Sequence, residues 1–182
     1  LAQAGTLGTS LLLHHKVVGF IKRAGRIEAV RLVDRRQGNE ISVHADQIVN
    51  ATGAWAGEVA AMAGARINMV YSQGSLIISQ MRLGERVLNR LRKASDADIL
   101  MPAGTVSIFG TTSKRIDAPD QCRPTTAEID AMIEDGMAMV PKLADTRFIR
   151  AYAGVRPLVR SGSGSDDRAV SRGFSLLDHE SE

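Results

Sequence analysis

The chain has 182 residues, of which 44% are hydrophobic and 24% charged, and its formal net charge is +3. This composition excludes a disordered chain, and no apolar run approaches the roughly 20 residues that span a bilayer. The small charge excludes a dedicated nucleic-acid-binding protein, and the single cysteine, Cys122, excludes an internal disulfide and a cysteine-cluster metal site. We expect no metal site, no nucleic-acid partner, and a reducing compartment such as the cytoplasm.

The first third of the chain predicts a meander of three antiparallel strands. Runs rich in valine, isoleucine and leucine cover residues 17–21, 26–33 and 40–44, and the turn-forming stretches RAGR and RQGNE separate them. A fourth apolar run, QIVNA at residues 47–51, predicts a short strand that is buried on both faces.

The corner that follows this run is built from four small residues, Ala51, Thr52, Gly53 and Ala54. Beyond it, WAGEVAAM has the spacing of a helix, and Gly64 lies where that helix would end. Small residues at a strand-to-helix turn let the main chain approach a ligand closely. The alternative is an ordinary tight connection in which Trp55 fills the core.

The rest of the chain predicts a second group of strands with two helices. INMVYSQGSLIIS is typical of two strand pieces around a Gln-Gly turn or bulge, and ADILMPAG and TVSIFGTTS predict a strand pair. Residues 82–93 predict an amphipathic helix whose basic face is solvated or, alternatively, contacts anionic lipid or another protein chain. Thr125 and Glu128 form a capping-box pattern that predicts a helix to about Val140, and RFIRAYAGVRPLV predicts a strand ending at Pro157.

The stretch SGSGSDDRAVSRG, residues 161–173, predicts a mobile polar loop. Together the elements indicate a mixed α/β fold, with an antiparallel meander followed by a mixed sheet flanked by helices.

Several motifs resemble a known family of flavoproteins. A three-strand meander followed by NATG and a tryptophan resembles the glutathione-reductase-like flavoproteins of the D-amino-acid-oxidase group. YSQGSLII, SIFGTTSKRID, RAYAGVRPLV and RKASDADILMPAG resemble the FAD-dependent glycerol-3-phosphate dehydrogenases, most of all the large, catalytic subunit of the anaerobic respiratory type. The resemblance covers essentially the whole chain. It implies part of an FAD-binding domain over 1–65, a substrate-binding domain over 66–160, and a polar loop with a strand returning to the FAD domain over 161–182.

The resemblance also implies a set of site residues. Arg156 matches the arginine that binds the substrate phosphate, and the planar fork of a guanidinium suits two phosphate oxygens. Without the resemblance, an arginine near a strand end is more often an ion-paired surface residue. Gly74 and Ser75 match a segment that lines the substrate pocket, and Thr111 and Thr112 match one near the active site, although a solvent-facing turn is equally consistent with their sequence.

The resemblance implies residues that bind the cofactor, but it does not identify the catalytic base. Residues 51–54 match the turn that passes the FAD, so the four small residues are implied to be cofactor-binding. The aerobic-type enzymes carry a histidine directly after the matching Gly-Ser, whereas this chain has Leu76. The catalytic residue is therefore unidentified.

The activity implied for the complete protein is oxidation of sn-glycerol 3-phosphate to dihydroxyacetone phosphate. Hydride passes to FAD, and electrons pass to a quinone or to electron-transfer subunits, with peripheral association at the inner face of a bacterial membrane. Two other functions remain open: an FAD-dependent amino-acid or sarcosine-type oxidase, and a non-catalytic anion-binding or subunit-docking module.

Two segments that the family requires are missing from the sequence: the G-x-G-x-x-G dinucleotide fingerprint and a later segment containing Gly-Gly-Lys. We therefore expect the chain to be an excised internal segment of a longer protein. By itself it is expected to bind FAD poorly or not at all and to be inactive.

Overall fold

The computed structural model describes residues 2–159 and 176–178. The chain divides into two compact units, Leu1–Ile67 with Asp178–Glu182, and Asn68–Leu177. The polar loop and return strand predicted within 161–182 fall outside the described residues, apart from 176–178. No helix in the described part of the chain is long and apolar enough to cross a membrane.

The first unit is built on the predicted meander. A short helix, α1 (Ala2–Thr6), precedes three antiparallel strands, β1 (His15–Arg23), β2 (Arg26–Asp34) and β3 (Glu40–His44), which confirms the prediction from the sequence. The turn between β1 and β2 places Ala24 and Gly25 at φ 49° and 82°. Two consecutive residues with positive φ are the geometry that matches the twist of a tight hairpin.

The segment after the meander differs from the prediction. Residues 47–51 form no strand, because the sheet of the first unit contains β1, β2 and β3 and offers them no hydrogen-bonding partner among the described residues. A 3-10 turn, Gly53–Trp55, leads into α2 (Ala56–Met62), as the helical spacing predicted. The turn and helix bury Ala54 and Ala60, whereas 45% of Trp55 is exposed, so Trp55 does not fill this unit's core.

The second unit is a sheet centred on one long strand, β4 (Met69–Ser79). The other strands are β5 (Leu88–Asn89), β6 (Ile99–Ala103), β7 (Val106–Gly110), β8 (Lys114–Ile116) and β9 (Phe148–Val159). β9 pairs with β4 along its length, and β7 and β8 pair with successive parts of β4 on its other edge. The mixed α/β class is confirmed, but every pairing among the described strands is antiparallel, whereas a mixed sheet was predicted.

β4 is continuous where the sequence predicted a turn or bulge at Gln73-Gly74. Gln73 and Gly74 stay in register with Val155 and Gly154, because the long partner strand holds the backbone extended. The one irregularity in this pairing falls between Ile78 and Ser79. β9 likewise continues beyond Pro157, which pairs with Tyr71, to Val159.

One helix, α3 (Thr126–Met137), packs on the sheet and completes its core. The Thr125 side chain accepts a hydrogen bond from the Glu128 N–H, which confirms the capping pattern, and the helix ends three residues before the predicted Val140. The core contains Ile77, Ala97, Leu100, Phe109, Met132, Val140 and Leu143.

The helix predicted over residues 82–93 is wrong. The segment is irregular apart from β5, and Leu91 has a positive φ of 49°. The Arg82 guanidinium donates hydrogen bonds to the carbonyl groups of Gly84, Glu85 and Gly104. Leu88 pairs with Leu100 of β6. The main chain of this segment is therefore bonded to a side chain and to another strand, and not in the pattern of a helix.

The predicted basic face does not form either, because residues 82–93 are not helical and three of their four arginines, Arg82, Arg90 and Arg92, contact carboxylates. Arg90 and Arg92 both contact the Asp135 carboxylate, at 3.0 and 2.9 Å, and Arg92 also contacts Asp98 at 2.8 Å. These ion pairs tie the irregular segment to the end of α3.

Gly136 lets α3 approach the sheet closely. A Cβ at this position would lie 2.6 Å from Cε1 of Phe109 and 2.9 Å from Cδ1 of Leu143, and both side chains are 1% exposed. Core residues packed this tightly cannot move aside without strain.

We predict that Gly136→Ala destabilises the protein, although a glycine-to-alanine change inside a helix ordinarily raises the free energy of unfolding by about 1 kcal/mol. The collision should reverse the sign and lower the free energy of unfolding by about 1–2 kcal/mol, measured by urea denaturation. As a control, Ala131→Gly, an exposed change in the same helix, should cost about 1 kcal/mol through helix propensity alone. A Gly136→Ala protein more stable than the parent would contradict the packing.

Candidate functional site

The pairing of β4 with β9 brings Arg156 and Gly74 together. Arg156 lies opposite Ser72, and Gly74 lies opposite Gly154. Residues two apart on a strand face the same side, so all four share one face of the sheet. The Arg156 guanidinium lies over Gly74: a Cβ on Gly74 would be 2.6 Å from its Cζ and 2.7 Å from its Nη1. The missing side chain at position 74 therefore makes room for the guanidinium.

Thr111 and Thr112, directly after β7, fix the orientation of that guanidinium. The Nη1 group donates to the Thr112 carbonyl at 3.2 Å, and the Nη2 group donates to the Thr111 hydroxyl. Arg156 is half-buried, so its fork is held in place near the surface of the sheet. A positively charged, oriented fork of this kind suits a phosphate or a carboxylate.

Ser75 and Thr112 lie deeper than their predicted role in substrate binding requires. Ser75 is 0% exposed and Thr112 is 5% exposed. The Ser75 N–H donates to the Thr112 hydroxyl at 3.0 Å, and that hydroxyl donates to the Glu128 carboxylate. Since Ser75 also lies on the face of the sheet opposite Gly74, its hydroxyl supports the site from behind.

The carboxylate of Glu128 is the centre of this supporting network. Gln73 donates to it at 3.1 Å, and the Ser75 hydroxyl is a further hydrogen-bond partner. Glu128 lies in the first turn of α3, so the helix places a carboxylate against the back of β4. The chain of contacts runs from Glu128 through Thr112 to Arg156 on the other face.

Gln73 adds a second connection on the same side. Its amide nitrogen donates to the Arg123 carbonyl at 3.0 Å and its amide oxygen accepts from the Arg123 N–H at 2.9 Å. This pair of bonds anchors the segment before α3 to the central strand. Neither Gln73 nor Glu128 was identified as a site residue from sequence, although the capping-box pattern had placed Glu128 at the start of a helix.

The environment of Glu128 favours its ionised form. Burial raises the pKa of this carboxyl, but hydrogen bonds from the Ser75 and Thr112 hydroxyls oppose it. With further bonds from the Thr125 main chain and the Gln73 amide, the pKa is held below its usual value. The hydrogen-bond network therefore stabilises the charged carboxylate of Glu128.

A depression of about 420 Å³ lies between α3 and the segment after β7. Its charged lining consists of three carboxylates, Asp96, Glu128 and Asp135, and one cation, Lys114. Such a lining does not suit a phosphate, and it includes Glu128 on the side of the sheet away from Gly74. In the described part of the chain, no group of three His, Cys, Asp or Glu side chains is arranged to hold a metal ion.

The residues predicted to bind the cofactor lie in the first unit. Gly53 has φ +60° and nothing within 4 Å of the position where a Cβ would lie, so its main chain is open to a flat group. Asn50 braces the turn: its Oδ1 accepts from both the N–H and the hydroxyl of Thr52, and its Nδ2 donates to the Ala56 carbonyl at 2.9 Å.

The four predicted residues differ in how accessible they are. Ala51 and Gly53 are exposed, Thr52 is half-buried, and Ala54 is buried. The exposed backbone at Gly53 therefore fits the close approach of a dinucleotide, while Ala54 packs inward. Asn50, whose side chain holds the turn, was not identified from the sequence.

A family model for FAD-dependent oxidoreductases matches residues 1–179. The chain belongs to this family. It is similar to one of the subunits of the anaerobic glycerol-3-phosphate dehydrogenase of Escherichia coli (strain K12), with 44% identity over 94% of this chain, and to the counterpart in Haemophilus influenzae, with 39% identity over 94%. The chain spans about a third of these relatives, 32% and 31% of their lengths.

A solved member of the flavoprotein family has a similar structure. The glycerol-3-phosphate dehydrogenase from Bacillus halodurans, complexed with FAD, matches with a TM-score of 0.70 and 25% identity, covering 82% of this chain and 32% of that one. The predicted resemblance to FAD-dependent glycerol-3-phosphate dehydrogenases, and to the anaerobic type in particular, is confirmed.

We predict that Glu128→Gln destabilises the protein by about 1–2 kcal/mol at pH 7, because Thr112 and Gln73 donate to different oxygens of the carboxylate and the amide replaces one of these acceptors with a donor. A carboxyl whose pKa is lowered by folding stabilises the protein above its unfolded pKa, and this contribution is lost as the pH falls through the folded pKa. The difference between wild type and variant should therefore shrink from about pH 5 downward, as measured by urea denaturation at a series of pH values.

Glu134→Gln, an exposed change on the same helix, is the control for this prediction. It should leave stability within about 0.5 kcal/mol of the parent at each pH. A Glu128→Gln difference that stays constant from pH 7 to pH 3 would show that ionised Glu128 does not hold the network.

Proposed function

We propose that the full-length protein containing this chain oxidises sn-glycerol 3-phosphate to dihydroxyacetone phosphate. The observation that carries the proposal is the Arg156 guanidinium, seated over Gly74 and oriented by Thr111 and Thr112. The similarity to anaerobic glycerol-3-phosphate dehydrogenases supports it, with identities of 44% and 39%.

Arg156 is proposed to bind the substrate phosphate. Its guanidinium is already held by two neighbours, so less side-chain entropy is lost when an anion binds than for a free arginine. Gly74 provides the surface on which it lies, and Thr111 lies against the same guanidinium. Ser75 and Thr112 contribute indirectly, since their hydroxyls are engaged in the network around Glu128.

Residues 51–54 are proposed to hold FAD, which when bound supplies the acceptor for the hydride from C2 of the substrate. The open main chain at Gly53 and the turn braced by Asn50 are the features that suit this role. The residue that takes the proton from the C2 hydroxyl is not assigned. At position 76, next to Ser75, the side chain is leucine, which cannot accept a proton.

The electrons are proposed to pass to a quinone or to electron-transfer subunits, with the protein on the cytoplasmic side of a bacterial membrane. The relatives are named as subunits, which supports partner chains. A direct lipid contact through residues 82–93 is not part of the proposal, because that segment is not an amphipathic helix and Arg90 and Arg92 have acidic partners.

Two other functions are less well supported. An amino-acid or sarcosine-type oxidase would use Arg156 to bind a carboxylate, but the similarity in sequence favours the glycerol-3-phosphate dehydrogenases. A non-catalytic docking module would leave Arg156 exposed and apart from the two predicted substrate segments, whereas the guanidinium is half-buried and contacts both.

We predict that Arg156→Ala weakens the apparent affinity for sn-glycerol 3-phosphate by about 100-fold or more, because two charge-assisted hydrogen bonds to the phosphate are lost. The measurement is an anaerobic titration of the full-length protein with this substrate, followed by bleaching of the flavin absorbance. Arg150→Ala, an exposed arginine on the same strand, is the matched control and should titrate like the parent. Bleaching by an amine but not by glycerol 3-phosphate would favour the amino-acid-oxidase alternative.

We also predict that Gly74→Ala weakens the same affinity by about tenfold or more, although it removes no functional group. The added methyl occupies the place of the guanidinium, so Arg156 must leave its bonds to Thr111 and Thr112. The double variant with Arg156→Ala should bind no more weakly than Arg156→Ala alone, because both changes act on one interaction. Gly84→Ala, whose Cβ would meet nothing nearer than 3.6 Å, serves as the control. Additive losses would show that Gly74 acts independently of Arg156.

A further inference from the structure

Three alternate residues of β9 share the face of the sheet on which the guanidinium lies. Arg156, Gly154 and Tyr152 pair with Ser72, Gly74 and Leu76 of β4. Since Gly74 pairs with Gly154, a guanidinium seated over Gly74 reaches from Arg156 toward Tyr152. Residues four apart on a strand are separated by about 13 Å, and the arginine side chain covers roughly half of that distance.

The space over Gly154 is open. A Cβ at this position would meet nothing within 4 Å in the described part of the chain, and Gly154 is exposed. Glycine weakens a strand, and in strands it often marks a place where a ligand approaches closely. Gly154 therefore leaves an open patch, bounded on one side by the Arg156 guanidinium over Gly74 and on the other by Tyr152.

Tyr152 is the polar group on the far side of this patch. It is half-buried, and no group among the described residues hydrogen-bonds to its hydroxyl. A tyrosine placed this way offers a rigid ring and one hydroxyl that can both donate and accept a hydrogen bond.

We propose that Tyr152 is a second substrate-binding residue, and that the substrate lies over Gly154 with its phosphate on Arg156 and its glycerol end at the Tyr152 hydroxyl. This inference rests on the proposed function, since it needs an anion at Arg156 and a polar group a short distance away. It assigns the two ends of a phosphorylated three-carbon substrate to two residues of a single strand.

The test is isothermal titration of the oxidised full-length protein with dihydroxyacetone phosphate, the product, which binds without being oxidised. Tyr152→Phe should weaken binding roughly three- to tenfold, the effect of one hydrogen bond. Gly154→Ala should weaken it at least tenfold, because its methyl enters the open space while leaving the fold unchanged. Tyr71→Phe removes the other tyrosine hydroxyl of the chain, on the opposite face of the sheet, and should bind like the parent. Thermal melting of each variant reports on folding.

The outcomes separate this inference from the function on which it rests. If the parent fails to bind the product, or Arg156→Ala binds as well as the parent, the proposed function fails. If Arg156→Ala binds weakly while Tyr152→Phe and Gly154→Ala bind like the parent, the function stands and the placement over Gly154 is overturned. If Tyr152→Phe also lowers the melting temperature, the result for Gly154→Ala decides.

Discussion

The register between β4 and β9 is the constraint on which the second unit depends. It puts Gly74 opposite Gly154 and Arg156 opposite Ser72, and a shift by one residue would send every side chain to the other face. In the observed register one face carries the guanidinium over Gly74, and the space over the neighbouring Gly154 is open. The other face carries Gln73 and Ser75, which α3 covers. This one strand pairing therefore determines which side chains lie on the face that is open to a ligand and which lie on the face that packs against α3.

Buried polar groups on the back of the sheet would be costly if they lacked partners. Gln73 and Ser75 are 1% and 0% exposed, and their side chains are bonded to Glu128, to each other and, for Gln73, to the Arg123 main chain. An apolar core would cost less in desolvation, but it would not fix the Thr112 main chain, whose carbonyl holds Arg156. The polar network therefore stabilises the protein less than an apolar core would, but it fixes the position of the segment after β7.

Much of the fold could be predicted from periodicity and turn residues, and the failures have physical causes. The meander, the β6–β7 pair and the capped α3 follow from local patterns, because each is stabilised by near neighbours or by its own termini. β9 was predicted from its own sequence although its partner strand, β4, is distant in the chain. Residues 82–93 have helical periodicity, yet their main chain is held by the Arg82 side chain and by β6, and no local pattern reports contacts of that kind. The strand predicted at 47–51 does not form because a strand needs a partner strand to pair with, and the sequence of the segment alone does not show whether one is present.

In the candidate site, too, some residues could be identified from local sequence motifs, whereas others are identified only by their contacts in the folded chain. Arg156, Gly74, Thr111 and Thr112 were implied by motifs in three separate segments, and the structure brings them into contact. Glu128 belongs to a capping box and Gln73 to the stretch YSQGSLII, but neither pattern reveals that the two side chains bond to each other across 55 positions of sequence. The arginine can be found by resemblance, whereas the groups that hold it are visible only once the chain is folded. Since Glu128 reaches Arg156 through Thr112, a change behind the sheet should alter ligand binding in front of it as well as stability.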